Sequence, residues 1–210
     1  MHRLLLIAAA LAAAFAAGRA STRPTRARLH AQLAQATHRH HHDPLTGLLN
    51  RTGLAAAYHT ITTPHLIVLL DLDRFKHLND THGHRTGDHL LAVTGSRLAT
   101  AATHLGGIAA RLSGDEYAAI LPTRHTPQHV AATLTGHIRQ PVTADGASIR
   151  VTASLGICHI SAPTTLTAAL HHADIAMYHA KTSGGNTFGL HHTGMTMPTA
   201  TMARQRGGRR

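Results

Sequence analysis

Two acidic groups follow apolar segments in a chain that has only nine acidic residues among its 210. Asp71 lies near the end of the apolar run at 65–72. Asp115 and Glu116 follow a second run at 107–112. Short apolar runs of this kind are typical of buried strands, and two such strands side by side would bring their acids to one edge of a sheet.

The chemistry open to these acids depends on the metals they prefer. Carboxylate oxygens are hard ligands that suit Mg²⁺ or Mn²⁺, and these ions also hold nucleotide phosphates. Asp71 and Asp115 could share two such ions across a transferring phosphoryl group, which indicates nucleotidyl transfer. The pattern alone leaves a plain alternative open, because acids at strand ends are often only solvated turn residues.

The sequence around the acids is more specific. Four segments resemble, in order, the signature blocks of the GGDEF family of diguanylate cyclases: DPLTGLLNR at 43–51, LDLDRFKHLNDTHGHRTGD at 70–88, SGDEY at 113–117 and ADIAMYHAKTSGGN at 173–186. The resemblance covers about residues 43 to 188. It implies a fold similar to the palm of polymerases and an enzyme that joins two GTP molecules into cyclic di-GMP with loss of two pyrophosphates.

Roles for the acidic residues follow from the resemblance. It implies that Asp71 and Asp115 hold the catalytic Mg²⁺ or Mn²⁺, with help from the backbone carbonyl of Leu72. Glu116 matches the signature acid close to the reacting 3′-hydroxyl, where it acts either as a base or as an organiser of the site. Each domain of the family holds one GTP, so two copies of the chain must face each other as a homodimer.

The resemblance also implies how GTP is bound. Asn79 and Asp88 match the guanine-reading positions, and a carboxylate there can accept from the N1 and N2 hydrogens that adenine lacks. Lys76 and Lys181 match the phosphate contacts, with Lys76 counted among the catalytic residues as well. Phe75 is counted with the substrate-binding residues beside Lys76.

The chain departs from the family pattern at several positions. Ser113 replaces the first signature glycine and Tyr117 replaces the closing phenylalanine, both small changes. Gly185 stands where the family usually has an arginine, so one phosphate clamp is missing and we expect weaker GTP binding. The Arg-x-x-Asp of the family's inhibitory product site is absent at 104–107, so product inhibition there is not expected. These departures keep a second hypothesis open, a non-catalytic module that binds GTP or mediates dimerisation.

Several polar residues also have structural explanations. Asp73 and Asp80 are expected to cap or solvate the start of the helix that carries Phe75. Asp43 and Asn50 are expected to order the turn that enters the first helix of the domain.

The net charge of +11 suggests a nucleic-acid partner until the charges are located. Ten of the twenty lysines and arginines lie outside residues 43–190, whereas all nine acids lie inside, so the domain itself is about +1. The basic ends could contact anionic lipid or nucleic acid, but no specific nucleic-acid partner is expected. The domain, with roughly 145 residues, is large enough for a single core.

Histidine and cysteine give little indication of a metal centre. The 22 histidines, including His38 and His40–His42, are scattered among polar positions, whereas a metal tract needs further ligands at fixed spacing. The single cysteine, Cys158, falls in a strand-like run and is expected to be a small buried apolar side chain. A single cysteine excludes a disulfide within the chain.

The N-terminus begins with an apolar run of 14 residues at 4–17. As a helix it would be about 21 Å long, shorter than the hydrocarbon core of roughly 30 Å, and it resembles the apolar part of a signal peptide with Ala14-Phe15-Ala16 as a cleavage motif. Arginines after the run outnumber Arg3 before it, which favours a short membrane anchor with the catalytic domain in the cytoplasm. A cytoplasmic protein without an anchor is the alternative.

These observations predict four regions and an α+β fold. The regions are an anchor or signal-like segment at 1–20, a basic helical linker at 21–42, a GGDEF domain at 43–188 and a disordered basic tail at 189–210. In the linker, Leu29 and Leu33 of a helix at about 25–38 could pair with a second copy. The predicted helices are at about 50–59, 74–79, 85–102, 126–139 and 166–182, and the strands at 65–72, 107–112, 116–121 and 148–160. We expect a mainly antiparallel sheet flanked by helices, with the hairpin 107–121 carrying Asp115 at its tip.

Overall fold

The computed structural model describes residues 28, 32, 35 and 37–197 of the chain. The chain divides into two compact units, Met1–His40 and His41–Arg210. Residues 37–40 of the first unit are helical and exposed. Among the helices that the structure describes, none combines the length and apolar character needed to cross a membrane. The predicted anchor, the leucine pair and the tail beyond 197 lie outside the described residues.

The second unit contains helices on both faces of a five-stranded sheet. Its helices are α1 (Arg51–His59), α2 (Phe75–His82), α3 (His84–His104), α4 (Pro127–Ile138) and α5 (Leu166–Thr182). Its strands are β1 (His65–Leu72), β2 (Ile108–Ser113), β3 (Glu116–Pro122), β4 (Val142–Ala144), β5 (Ala147–Ile149), β6 (Ala153–Ile160) and β7 (Phe188–Leu190). The sheet order is β2-β3-β1-β6-β7, antiparallel except for the β6–β7 pair, and β4 and β5 form a separate hairpin. The predicted α+β fold with a mainly antiparallel sheet is confirmed.

The central strand β1 explains why its sequence is apolar without alternation. Its even-numbered residues from Leu66 to Leu72 pack in a core cluster with α3 and α4, whereas Ile67 and Leu69 pack in a second cluster with α1 and α5. A strand covered on both faces buries every side chain, so an unbroken apolar run is favoured there. The run therefore ends only where the strand reaches the polar edge at Asp71.

Two short strands and one strand boundary differ from the sequence prediction. The segment predicted as one strand at 148–160 is divided between β5 and β6, and β4 and β7 were not predicted. Asp145 and Gly146 have φ of 48° and 79°, which suits the two-residue turn that joins β4 and β5. Strand β7 includes residue 189, the predicted start of the tail, and main-chain pairing with β6 orders this three-residue segment.

The turn before α1 is ordered as expected. The Asn50 side chain accepts a hydrogen bond from the Gly53 N–H at 2.9 Å and caps the helix. Asp43 accepts from both the N–H and the hydroxyl of Thr46, and it pairs with Arg111 on β2 at 3.0 Å. These contacts fasten the entry turn to the strand that leads into the signature segment.

Candidate active site

The antiparallel register of β1 and β3 brings three carboxylates together. Asp71 lies opposite Glu116, and the Leu72 N–H donates to the Asp115 carbonyl oxygen at 3.3 Å. The tip of the β2–β3 hairpin therefore lies against the end of β1. We call the cluster of Asp71, Asp115 and Glu116 the acid edge.

Burial and mutual repulsion disfavour negative charge at the acid edge. The pKa of Asp71 is raised to about 6, mainly by burial and to a smaller extent by the Asp115 and Glu116 carboxylates, against the opposing effect of Lys181. Burial also raises the pKa of Asp115. The Lys181 ammonium nitrogen lies 2.7 Å from Asp71 Oδ1 and compensates part of the negative charge. The edge is thus a place where added positive charge would be stabilising.

The donor set of the acid edge fits a hard divalent cation. The predicted ligands, the carboxylates of Asp71 and Asp115 and the main-chain carbonyl of Leu72, offer only oxygen atoms, the type that Mg²⁺ and Mn²⁺ prefer. The raised pKa of both Asp71 and Asp115 fits such an ion as well, because a cation favours the ionised carboxylates that burial disfavours.

Helix α5 contributes a further acid that sequence reasoning did not select. Asp174 and Lys181 are seven residues apart, which places them two turns apart on the same side of the helix. Burial raises the pKa of Asp174, and the Glu116 carboxylate raises it further, whereas His171 and Lys181 lower it. Asp174 thus belongs to the electrostatic environment of the acid edge. Its spacing from Lys181 was the signal available in the sequence.

Ser113 contacts the signature acid directly. Its hydroxyl donates to Glu116 Oε2 at 3.0 Å. The Arg111 side chain donates to the Gly114 carbonyl oxygen at 2.9 Å, and Gly114 has a φ of 46° that favours glycine in the turn. The substituted first glycine of the signature thus gives the hairpin tip an additional contact to Glu116.

Tyr117, the other signature departure, is accommodated by a buried hydrogen bond. The side chain is fully buried, and its hydroxyl donates to the Leu91 carbonyl oxygen on α3 at 2.9 Å. Burial raises the pKa of Tyr117, so the hydroxyl stays protonated. The extra oxygen relative to phenylalanine is satisfied, which explains why the core tolerates it.

Apart from Lys181 on α5, the residues predicted to bind the nucleotide are on α2 and the start of α3. Lys76 and Asp88 are exposed, whereas Phe75 is 7% exposed and packs in the core. A Cβ at Gly87 would lie within van der Waals overlap of Asn79 Oδ1, so the glycine allows α3 to approach this amide closely. Asn79 Oδ1 is buried and has no hydrogen-bond partner among the described residues. A polar atom in this condition is consistent with a ligand-binding position.

Asp73 has a different role from the one predicted. The start of α2 has no side-chain cap, and Asp73 instead accepts hydrogen bonds from the hydroxyls of Thr152 and Ser154, both at 2.6 Å. It also accepts from the Asn186 N–H at 2.9 Å. The helix-capping interpretation was wrong because long-range donors satisfy the carboxylate, two of them brought close by the β1–β6 pairing and the third by the loop after α5. Asp73 fastens the loop after Lys181 to the sheet.

Gly185, the position of the missing arginine, is part of that same loop. Gly184, Gly185 and Asn186 all have positive φ, and the value at Gly185 is 75°. A Cβ at Gly185 would lie 3.0 Å from Asp73 Oδ1. A larger residue here would meet both backbone strain and a tight contact, so the local fold of the loop favours glycine.

The fold is that of a GGDEF domain. The family profile described as "Diguanylate cyclase, GGDEF domain" matches residues 40–187, and the chain belongs to this family. The coiled coil and GGDEF domain of DgcB from Caulobacter crescentus, solved in complex with cyclic di-GMP, is similar with a TM-score of 0.72 at 27% identity, covering 83% of this chain and 97% of that one.

Relatives by sequence differ in the share of their own length that the match covers. A 19.3 kDa protein of the repSA 5′ region in Streptomyces ambofaciens is 44% identical over 66% of this chain and 77% of its own length. The diguanylate cyclase DgcM of Escherichia coli K12 is 36% identical over 72% of this chain, but the match spans only 38% of DgcM. The common part of these proteins is the domain, and the rest of DgcM has no counterpart in the match.

Proposed function

We propose that this protein is a diguanylate cyclase that condenses two GTP molecules into cyclic di-GMP across a homodimer. The observation that supports the proposal most directly is the convergence of Asp71, Asp115 and Glu116 at the acid edge. Membership of the GGDEF family supports the same reaction.

In each bond-forming step the 3′-hydroxyl oxygen of one GTP attacks the α-phosphorus of the other. The bond from that phosphorus to the bridging oxygen of the pyrophosphate breaks, and pyrophosphate leaves. Glu116 would receive or direct the hydroxyl proton. Two such steps, one in each direction, close the ring, so the two bound nucleotides have to face each other across the dimer.

The side chains of the site divide the remaining tasks. Asp71, Asp115 and the Leu72 carbonyl would hold Mg²⁺ or Mn²⁺, which supplies neutralisation of the charge on the transferring phosphoryl group. Lys76 and Lys181 would pair with triphosphate oxygens. Asn79 and Asp88 would orient the base.

The test uses the full chain with GTP and Mg²⁺ and detects the linear dinucleotide and cyclic di-GMP by mass spectrometry. Asp115→Asn keeps the size of the side chain but removes a charge, and we expect a loss of at least about 100-fold in product formation. Asp80→Asn is the matched control, because Asp80 is an exposed acid on α2 outside the acid edge. Equal product from wild type and Asp115→Asn would contradict the proposal.

A module that binds GTP without turning it over is a second candidate, favoured by Gly185. The missing arginine removes one cation from the phosphate region, and the loop conformation favours glycine there. Saturable GTP binding by a folded wild-type protein that forms neither the linear nor the cyclic product at high protein concentration would select this candidate.

A further inference from the structure

Cys158, His172 and His191 come together on the sheet face covered by α5. One ligand atom from each, the cysteine sulfur and a ring nitrogen of each histidine, lies within 4.8 Å of the other two. Cys158 is buried and both histidines are half-buried. We propose that these three residues form a binding site for a zinc ion, separate from the acid edge.

The pairing of β6 with β7 brings the first two ligands together. The strands are parallel with Ile157 opposite Leu190, and the His191 N–H donates to the Ile157 carbonyl oxygen at 2.8 Å. Cys158 directly follows Ile157 on β6, and His191 directly follows Leu190 at the end of β7. Residues at matched positions of neighbouring strands project from the same face, so this register is the reason that the thiol and the imidazole meet.

Two glycines under α5 bring the third ligand into reach. Gly156 and Gly189 are opposite each other in the β6–β7 register. A Cβ at Gly156 would overlap the Ala173 carbonyl oxygen, and one at Gly189 would overlap the Ala176 carbonyl oxygen. Because neither glycine has a side chain, the helix backbone rests directly on the strands. His172 is thereby held beside Cys158 and His191.

The chemistry of this set differs from that of the acid edge. A thiolate and two imidazoles are the nitrogen and sulfur ligands of zinc, and three protein ligands leave a fourth position for water. On binding, the Cys158 thiol would lose its proton to solvent as the sulfur–zinc bond forms. Zinc rather than magnesium is thus the ion that this site selects.

The two imidazoles must reorient for both to bind one ion. Their rings are stacked, with centroids 4.4 Å apart and an interplanar angle of 14°. A ring nitrogen donates its lone pair in the plane of the ring, so one ring has to turn out of the stack. Both rings line a cavity of about 450 Å³, together with Met195 and Met197. This cavity gives a ring space to turn and gives an ion a route of entry.

Along β6, the Cys158 ligand is well separated from the acid edge. Cys158 is four residues along β6 from Ser154, the residue opposite Asp71, which corresponds to about 13 Å at roughly 3.3 Å per residue. The zinc proposal therefore stands independently of cyclase activity.

Cobalt is the appropriate probe because Cys158 is the only cysteine in the chain. Co²⁺ substitutes for zinc, and a thiolate bound to it gives a charge-transfer band in the near ultraviolet that histidine ligands do not give. We expect this band to saturate at one equivalent in the full-length protein, to be displaced by zinc and to be absent in Cys158→Ser.

Paired histidine variants test the rest of the site. His172→Ala and His191→Ala should each weaken cobalt binding by at least about 10-fold. His171→Ala and His192→Ala are matched controls at exposed neighbouring positions and should keep the band and the wild-type affinity. Zinc should raise the unfolding temperature of the wild type and both controls, but not of His191→Ala. A folded wild type without the thiolate band, or a band unchanged in both His172→Ala and His191→Ala, would overturn the proposal.

Discussion

Asp71 is held in the fold at an energetic cost. Its pKa is raised to about 6 by burial, so the folded protein binds a proton at this residue more tightly than the unfolded chain does. A raised carboxyl pKa makes the ionised folded state less stable, and the cost appears as pH rises from the unfolded value of about 3.8 through 6. The presence of an aspartate at position 71 is therefore better explained by a need for negative charge at the acid edge than by a contribution to the stability of the fold.

Asp71→Asn should stabilise the protein when no metal is present. At pH 8 with a chelator present, we expect the variant to have a higher free energy of unfolding than the wild type, by at most about 3 kcal/mol. The limit follows because each unit by which the pKa is raised corresponds to about 1.36 kcal/mol. Near pH 4 the advantage should vanish because wild-type Asp71 is protonated. Chemical denaturation at both pH values measures this. A variant less stable than wild type at pH 8 would mean that the Lys181 ion pair outweighs burial.

Asp73 should be a structural residue rather than a ligand. Asp73→Ala removes the acceptor of three hydrogen bonds and leaves the fully buried Ser154 hydroxyl without its partner. We expect a loss of about 2–4 kcal/mol in the free energy of unfolding. Asp80→Ala, an exposed acid on the neighbouring helix, should change it by less than about 0.5 kcal/mol. Similar effects of the two substitutions would contradict the anchoring role.

At the scale of elements, α5 depends on the glycine beneath it. A Cβ at Gly156 would lie 1.8 Å from the Ala173 carbonyl oxygen and 2.4 Å from the Met177 nitrogen, both backbone atoms of the helix. Gly156→Ala should therefore displace α5 and destabilise the protein by more than about 2 kcal/mol.

The chain offers a matched control for this substitution. Gly136 is inside α4, and nothing lies within 4 Å of a Cβ built there. Gly136→Ala should stabilise by roughly 0.5–1 kcal/mol, because alanine is the better helix former. Thermal unfolding of the two variants side by side measures the contrast. Equal effects would show that α5 does not rest on Gly156.

The turn between α3 and β2 bears on the expectation that the product does not inhibit the proposed reaction. Positions 104–107 lack the arginine and aspartate of the family's product site, and a Cβ at Gly107 would lie 2.2 Å from the Ile120 carbonyl oxygen. An aspartate does not fit there without movement of β3. We expect added cyclic di-GMP to leave the initial rate of the wild type unchanged. Saturable inhibition that is non-competitive with GTP would reveal a product site elsewhere.

At the scale of the whole molecule, the proposed reaction needs two chains. In the proposed mechanism one acid edge serves one GTP, so specific activity should rise with protein concentration until the dimer is saturated. Product formation per mole of enzyme, measured over a dilution series together with mass by light scattering, tests this. Constant specific activity across a range in which the protein is monomeric would exclude the dimer mechanism.

Local signals in the sequence predicted most of the architecture. The apolar run of β1, the hairpin of β2 and β3 and the long helices were all found, since each has a period or an unbroken run that depends on nearby residues. The edge strand β7 was missed because three residues carry no period. The β4–β5 hairpin was missed although Asp145-Gly146 is a recognised turn signal.

Sequence alone determined the acids, their order and the family to which the chain belongs, because these depend on residue type and spacing. Tertiary structure decided which groups meet. Asp73 found its donors on β6 and in the loop after α5, Asp174 came close to Glu116, and Cys158 came close to His172 and His191. Strand pairing and helix packing join residues far apart in the chain, and no local pattern records that proximity.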